Sequence, residues 1–378
     1  MLDGICDGKM LNSEKLEYYL RLQVHYGNSS VVPIDASDIR VLNIKKLSGG
    51  MTNNVYSFLL RFITGESEHF LNLVLKGYSE KVGLWFKVSY PDEEVRKHIR
   101  EYDTLQALQK IGFPASKVFL CESDSFFLGY PFLIMGQETV IQESISDINS
   151  FADTLASLHN LEVEKLGIKS LSFPEDRSDF VWHRLRCLKQ FINETKHYGF
   201  LKKNFDYAIN WLESNAKDNT CPKYCLIHGE YHPGHTLVTN KNRLTVIDWE
   251  SATIGDPAFD VGYAYHMVKL MCNEKNSNSG EMAAKQFVSE YSKNFQGDVH
   301  RRLEFYKVVG ILGVAVVVSS WMSNPLEANK LFGRKALARA LVFPFFRSSF
   351  FVKRWMNADF LVSCLQYSQD FIQTTLRQ

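Results

Sequence analysis

The chain has 378 residues, with 43 Lys and Arg against 42 Asp and Glu, for a formal charge of +1. Apolar residues make up 45% and charged residues 22%, which argues against a disordered chain, a collagen-like repeat or a strongly basic nucleic-acid binder. At about 150 residues per domain, this length gives two or three domains or one bilobal unit.

Met1 to Met10 carries Asp3 and Asp7 and no apolar run, so it is not read as a signal peptide. Apolar spacing predicts a helix over Ser13 to Val24. Strands follow at Val41 to Leu47, Val55 to Ile63 and Phe70 to Leu75, the last two joined by a turn around Gly65. Pro91 to Ile111 reads as a helix opened by Pro91 and stopped by Gly112. Lys117 to Cys121 and Phe126 to Met135 complete a five-stranded, mostly antiparallel pattern with one inserted helix. From Asp147 the spacing turns helical, at Ile148 to Leu161, Asp179 to Thr195 and Asn204 to Ser214. A strand-and-turn island, Tyr224 to Ile247, interrupts the helices, which resume at Pro257. Val308 to Met322 is strongly apolar but spans fifteen residues, short of the roughly 20 of a membrane-spanning helix, so it is read as a buried core helix. Seven cysteines, an odd number scattered along the chain, suggest reduced thiols and a cytoplasmic protein.

The densest group of chemically capable residues is His228-Gly-Glu230-Tyr-His232-Pro-Gly-His235, followed by the apolar strand Leu244 to Ile247 and then Asp248-Trp-Glu250. A hairpin returns Asp248 beside the turn that carries Glu230 and His235. Phosphoryl transfer needs such a set: a carboxylate to orient the attacking hydroxyl, and ligands for a divalent metal. Three features upstream add to it. Ser48, Gly49, Gly50, Thr52 and Asn53 form a Gly-rich turn whose backbone amides can approach phosphates. Lys76 ends an apolar strand. Glu101 falls between Leu105 and Leu108 on the helical wheel, inside the apolar arc. A carboxylate facing a core requires a cation, and Lys76 is the natural candidate.

Together these elements resemble the aminoglycoside phosphotransferase and choline kinase-like family, a branch of the protein-kinase-like fold. The resemblance runs from about Ile39 to about Met271. It implies an α+β, bilobal protein-kinase-like fold with a small antiparallel-sheet N-lobe over residues 1–136. A larger helical C-lobe spans 137–378, and the hinge lies near 134–140. It implies that Lys76 holds ATP phosphates, that Glu101 orients Lys76, and that the backbone around Ile134 and Met135 grips adenine. His228 to His235 matches the catalytic loop, written His-Gly-Asp-x-His-Pro-Gly-Asn in the family, and Asp248 matches the metal-binding strand end. His228 and Asp260 are then supports of the loop, Asp256 is structural, and Glu250 is a further metal or phosphate-side contact. The function implied is ATP-dependent phosphorylation of a hydroxyl on a small molecule, with Mg or Mn as the divalent metal.

Two departures qualify the match. The catalytic aspartate is Glu230, which adds one methylene, roughly 1.5 Å of reach. The metal-ligating asparagine is His235, a poorer ligand for magnesium than for manganese, zinc or other borderline metals. They leave open a retuned kinase or a nucleotide-binding pseudokinase acting as an interaction module. A zinc site from Cys221, Cys225, His228, His232 and His235 is disfavoured, because Cys225 and His228 of one strand point to opposite faces. The H-x-E of zinc deaminases lacks its P-C-x-x-C, and neither a Walker A loop nor an H-E-x-x-H helix is present. Between Glu327 and Asp359, seven basic residues and no acidic one interleave with Phe343, Phe345, Phe346, Phe350 and Phe351. This stretch reads as a solvated basic helix with a packing segment. Its alternatives are a site for an anionic acceptor or a peripheral contact with an acidic surface.

Overall fold

The computed structural model describes residues 11–47, 53–78, 96–142, 147–194, 199–239, 244–272, 279–323, 370, 371 and 374. They fall into two compact units, one formed by the described residues up to 139 and one by those from 140 onward.

The first unit opens with α1 (Ser13–His25), capped by the Asn12 carboxamide, which accepts from the Lys15 amide at 2.9 Å. Then come β1 (Ser37–Lys46), β2 (Asn54–Thr64), β3 (Ser67–Gly77), α2 (Lys97–Lys110), β4 (Val118–Glu122) and β5 (Phe132–Gly136). The strands form one antiparallel sheet in the order β1-β2-β3-β5-β4. Alternation assigns the faces. Tyr56, Phe58, Leu60 and Phe62 of β2 join Leu73 and Leu75 of β3, Phe132 and Ile134 of β5, and Leu16, Tyr19 and Leu20 of α1 in one core. Lys76, one residue past Leu75, therefore points to the opposite face. There α2 packs on β4 and β5 and buries Leu105 and Leu108.

One expected strand is shorter than the sequence suggests. Of Phe126 to Met135, only the part from Phe132 is paired. The start is held as a turn: the Asp124 carboxylate accepts from the Phe126 amide at 2.9 Å, and Gly129, at φ +87°, donates to the Ser125 carbonyl at 2.7 Å. Local side-chain capture of the backbone outcompetes the apolar pattern there. The expected helix from Pro91 is described from Lys97 onward, and residues 91–95 lie outside the described residues.

The second unit holds β6 (Val140–Gln142), α3 (Ile148–His159), the short α4 (Val163–Leu166), α5 (Asp179–Glu194) and α6 (Gly199–Asn215). Next come β7 (Cys225–Ile227), β8 (Thr236–Thr239), β9 (Leu244–Val246), β10 (Thr253–Gly255), α7 (Pro257–Met271), α8 (Ser279–Asn294) and α9 (His300–Ser323). Two small antiparallel sheets, β6-β8-β9 and β10-β7, carry the strand-and-turn island. The three-residue strands β6 and β10 are too short to show an alternation in the sequence.

The apolar stretch at Val308 lies in α9, where Val308, Ile311, Leu312 and Val316 are fully buried. It is a core helix, and no helix among the described residues is long and apolar enough to cross a membrane. Helices α7 and α9 approach closely because Gly262 has no side chain: a Cβ there would stand 2.5 Å from the Tyr306 carbonyl carbon. Cys121, Cys187, Cys221, Cys225 and Cys272 are all free thiols. The basic, Phe-rich segment 330–354 lies outside the described residues.

Candidate functional site

In the first unit, the strand and helix periods bring Lys76 and Glu101 together. Lys76 Nζ lies 2.6 Å from Glu101 Oε2, with the two side chains 7% and 1% exposed. Glu101 thus has the cation its place in the apolar arc demanded. A second donor joins it: the Tyr78 hydroxyl also hydrogen-bonds Glu101 Oε2, and Lys76 Nζ sits 5.2 Å from the Tyr78 ring centroid. Tyr78 was legible in principle, since it follows Lys76 by two residues and so shares its face. The Gly-rich stretch connects β1 to β2. Ser48, Gly49, Gly50 and Thr52 lie outside the described residues, and Asn53 stands just before β2. Ile134 and Met135 sit in β5, paired with Leu75 and Val74 of β3 on one side and with β4 on the other.

In the second unit, β7 leads into His228 and the chain reverses through Gly229. This glycine has φ +81°, and a Cβ there would fall 2.2 Å from the Ser251 carbonyl oxygen, so no other residue fits without rearrangement. His228 is fully buried. Its Nδ1 accepts from the Glu230 amide at 3.3 Å, and its Nε2 meets the Ile247 carbonyl at 3.0 Å. Those partners assign the neutral ring with the proton on Nε2. Burial, reinforced by the neighbouring His235, pushes its pKa down to about 4, which fits that assignment.

The Asp260 carboxylate, on the first turn of α7, accepts from the His228 amide at 2.7 Å and the Gly229 amide at 2.9 Å. Asp260 thus contacts the loop at its first two backbone amides. Asp256 caps α7 by accepting from the Ala258 amide at 2.9 Å. It also receives Arg302 of α9 in a two-point buried pair, at 2.7 and 3.1 Å. Arg302 carries no motif signal, because its partner is 46 residues away.

His235 and Asp248 are brought together across the hairpin. His235 Nδ1 lies 3.0 Å from the Glu230 carbonyl, so that nitrogen carries the hydrogen. Its Nε2 lies 3.4 Å from Asp248 Oδ2. An imidazole that donates its far N–H to a backbone carbonyl is oriented for metal ligation. Both side chains are partly open, at 16% and 33% exposure. Asp248 itself adopts the left-handed region, φ +66°, at the start of a 3-10 turn that includes the buried Glu250. That is an uncommon conformation for a non-glycine residue, and it occurs at the carboxylate the site needs.

Glu230, His232 and His235 each offer one ligand atom within 4.8 Å of the others. His232, however, accepts from the Gly234 amide at Nδ1 (3.0 Å), and burial holds its pKa well below the usual range. The neutral ring then carries its hydrogen on Nε2, and its lone pair is already engaged by the Gly234 amide. The donor set of His235 Nε2 with Asp248 fits a divalent cation, and its nitrogen suits a borderline metal. Cys221 and Cys225 do not join it. Burial raises both thiols, and they donate instead to the Lys223 and Gly255 carbonyls.

Residues 44–305 match the model of the phosphotransferase enzyme family. The chain belongs to that family. Among solved structures, this phosphotransferase-family chain is similar to choline kinase LicA from Streptococcus pneumoniae. The TM-score is 0.53 and the identity 15%, covering 95% of this chain and 99% of that one. It is also similar to a thermostable variant of aminoglycoside phosphotransferase APH(4)-Ia in a ternary complex with ADP and hygromycin B. There the TM-score is 0.52 and the identity 15%, over 96% of this chain and 98% of that one. These likenesses establish the protein-kinase-like fold. A curated relative, acyl-CoA dehydrogenase family member 11 from Pongo abelii, is 27% identical over 222 residues, which is 51% of this chain and 27% of that protein. The family chain thus spans about a quarter of the length of that relative.

Proposed function

We propose that the chain transfers the γ-phosphoryl group of ATP to a hydroxyl of a small molecule. The observation that carries this reading is the loop pair: His235 held by Glu230 O with Nε2 turned to Asp248, and Glu230 two residues past a buried, neutral His228. Family membership and the ADP in the ternary complex of the phosphotransferase APH(4)-Ia support nucleotide as co-substrate.

In this reading Lys76, oriented by Glu101 and Tyr78, binds the α- and β-phosphates through a fixed ammonium. The Gly-rich residues 48–53 add backbone amides, and the strand around Ile134 and Met135 lies against the base. Glu230 orients the acceptor hydroxyl and takes its proton as the oxygen attacks the γ-phosphorus and the bond to the β-phosphate oxygen breaks. His235 and Asp248 hold a divalent metal, Mg or Mn, which when bound neutralises charge on the phosphates. His228 and Asp260 keep the loop in register. Glu230 reaches roughly 1.5 Å further than an aspartate. Because transfer is largely dissociative, positioning and charge matter more than the base, and the longer side chain remains serviceable.

Purified chain is incubated with ATP, magnesium or manganese, and a panel of hydroxyl-bearing metabolites, and ADP release is followed. Acceptor-dependent ADP release that Glu230→Gln lowers by 100-fold or so supports the reading. Nucleotide binding without turnover favours a pseudokinase, the alternative suggested by the Glu230 and His235 departures. Absence of any nucleotide binding by calorimetry refutes both.

A further inference from the structure

We propose that Glu17 and Arg21 of α1 stand in for a missing strand, closing the free edge of β1 and keeping it from pairing with the same edge of a second copy of this chain. Phosphoryl transfer plays no part in this role, and every residue involved belongs to the first unit.

In the five-stranded sheet β1 is an outer strand, with β2 as its neighbour on one side. An outer strand carries a row of backbone N–H and C=O groups that point away from the sheet, a template for another strand. Two register shifts, between Ser37 and Arg40 and between Leu42 and Lys45, break the pairing with β2 on either side of residues 40–42. Asp38 and Asn43 take left-handed backbone there, at φ +44° and +54°. Bulges of this kind bend an edge away from a partner, so the stretch able to pair is short and centres on Arg40. Helix α1 intervenes at this stretch. The Val41 amide donates to Glu17 Oε1 at 2.8 Å, and Arg21 Nη2 donates to the Ile39 carbonyl at 2.9 Å. One acceptor and one donor, a helical turn apart, supply what a neighbouring strand would offer. Glu17 Oε2 also lies 3.6 Å from Arg21 Nη2 and 3.7 Å from Arg40 Nη1, which holds the carboxylate between helix and strand. Leu16, Tyr19 and Leu20, on the buried side of α1, anchor the helix in the core.

The two groups that α1 engages also define what they would meet without it. In an antiparallel ladder, the residues on either side of a non-hydrogen-bonded pair exchange N–H and C=O with their opposites. If Arg40 of two copies faces itself across a two-fold axis, the Val41 amide of each copy meets the Ile39 carbonyl of the other. The β1 edge is therefore complementary to itself at the same two groups that Glu17 and Arg21 occupy. The opposite outer strand, β4, is treated alike. Gln109 of α2 accepts from the Val118 amide at 3.2 Å, and the Ser30 hydroxyl donates to the Phe119 carbonyl at 2.6 Å. Side chains rather than strands finish this sheet at both ends.

The test uses the full chain and needs no substrate. Glu17→Ala with Arg21→Ala removes both bonds and leaves Leu16, Tyr19 and Leu20 in place. Glu17→Gln with Arg21→Lys keeps an acceptor and a donor. Two lost bonds should raise the population with α1 lifted from β1 on the order of 100-fold. In the double-alanine variant the Val41 amide should exchange with solvent at least about fivefold faster, with β3 and β5 unchanged. Sedimentation velocity over a micromolar concentration series should show its mass rising toward twice the wild-type value. The Gln and Lys double variant should behave as the wild type does. Adding Arg40→Cys reports the register, because Cα atoms of a non-hydrogen-bonded pair stand about 4.5 Å apart, within disulfide reach. Mild oxidation should then link two copies through position 40 in the double-alanine background, read by peptide mass spectrometry, and should not in the wild-type background. The proposal is overturned if the double-alanine variant stays monomeric or exchanges Val41 at the wild-type rate. A dimer that position 40 does not link, or a wild-type background that links through it, overturns the proposal equally. Should the double-alanine variant fail to fold, Arg21→Ala alone decides by the same three readouts.

Discussion

Removing Glu101 is the sharpest probe of the first unit. Glu101 is 1% exposed and receives both Lys76 Nζ, at 2.6 Å, and the Tyr78 hydroxyl. Glu101→Ala leaves the Lys76 ammonium in a site 7% exposed with its carboxylate gone. Breaking a buried pair from one side costs about 3–5 kcal/mol. With a urea slope of about 1–3 kcal/mol per molar, the unfolding midpoint should drop by roughly 1–5 M. Lys76→Met with Glu101→Leu removes both charges, so most of that loss should return. A residue of about 1–2 kcal/mol should remain, because the Tyr78 hydroxyl has lost its hydrogen bond to Glu101. Urea titrations of Lys76→Met, Glu101→Leu and the double variant close the cycle. ATP binding, followed by thermal shift, should be lost in the double variant although its stability recovers. The reasoning fails if Glu101→Ala costs less than about 1 kcal/mol, as an exposed pair would. It fails equally if the double variant is no more stable than the single.

Other expectations follow from the second unit. Gly229→Ala should destabilise the chain by at least about 2 kcal/mol and abolish ADP release, since a left-handed backbone and a contact with the Ser251 carbonyl both oppose it; thermal melting measures this. Arg302→Met should cost about 3–5 kcal/mol in urea titration by leaving buried Asp256 without its two-point partner, and Arg302→Lys should restore only part, lacking the planar fork. Burial holds His228 and His266 neutral in the folded chain, with pKa values pushed down to about 4 and about 3 from 6.5. Below pH 6.5 the unfolded chain therefore binds protons that the folded chain refuses. Stability from these rings should be complete above pH 6.5 and decline as pH falls from there toward 4, by about 1.4 kcal/mol per pH unit for each ring. A urea midpoint that stays flat over that range would show that the rings are not held neutral. His235→Asn should move the metal that best stabilises the chain from manganese toward magnesium in thermal shift, because an oxygen replaces a nitrogen donor.

Much of the fold and part of the site are written in local order. Period-two apolar residues from Val55 to Ile63 and Phe70 to Leu75 place β2 and β3, and the same alternation sends Lys76 to the face opposite Leu75. Glu101 inside an apolar arc announces a buried ion pair before any partner is seen. The short spacing from Glu230 to His235, followed by an apolar strand ending at Asp248, contains the hairpin that joins them. Each of these follows from geometry within a single element or a tight turn, which neighbouring residues determine.

The turn at 125–130 and the tautomers of the three loop histidines needed the folded chain. A turn wins over a strand by one Asp124 contact, and a ring's proton is assigned by a carbonyl such as Ile247 O or Glu230 O that the sequence does not place. Tyr291 on His159, His159 on Asp260, and Arg302 on Asp256 join residues 46 to 132 positions apart. Nothing in a local pattern pairs them, because the energy that pairs them is the cost of leaving a buried polar group without a donor. That cost exists only once the helices have packed and excluded water.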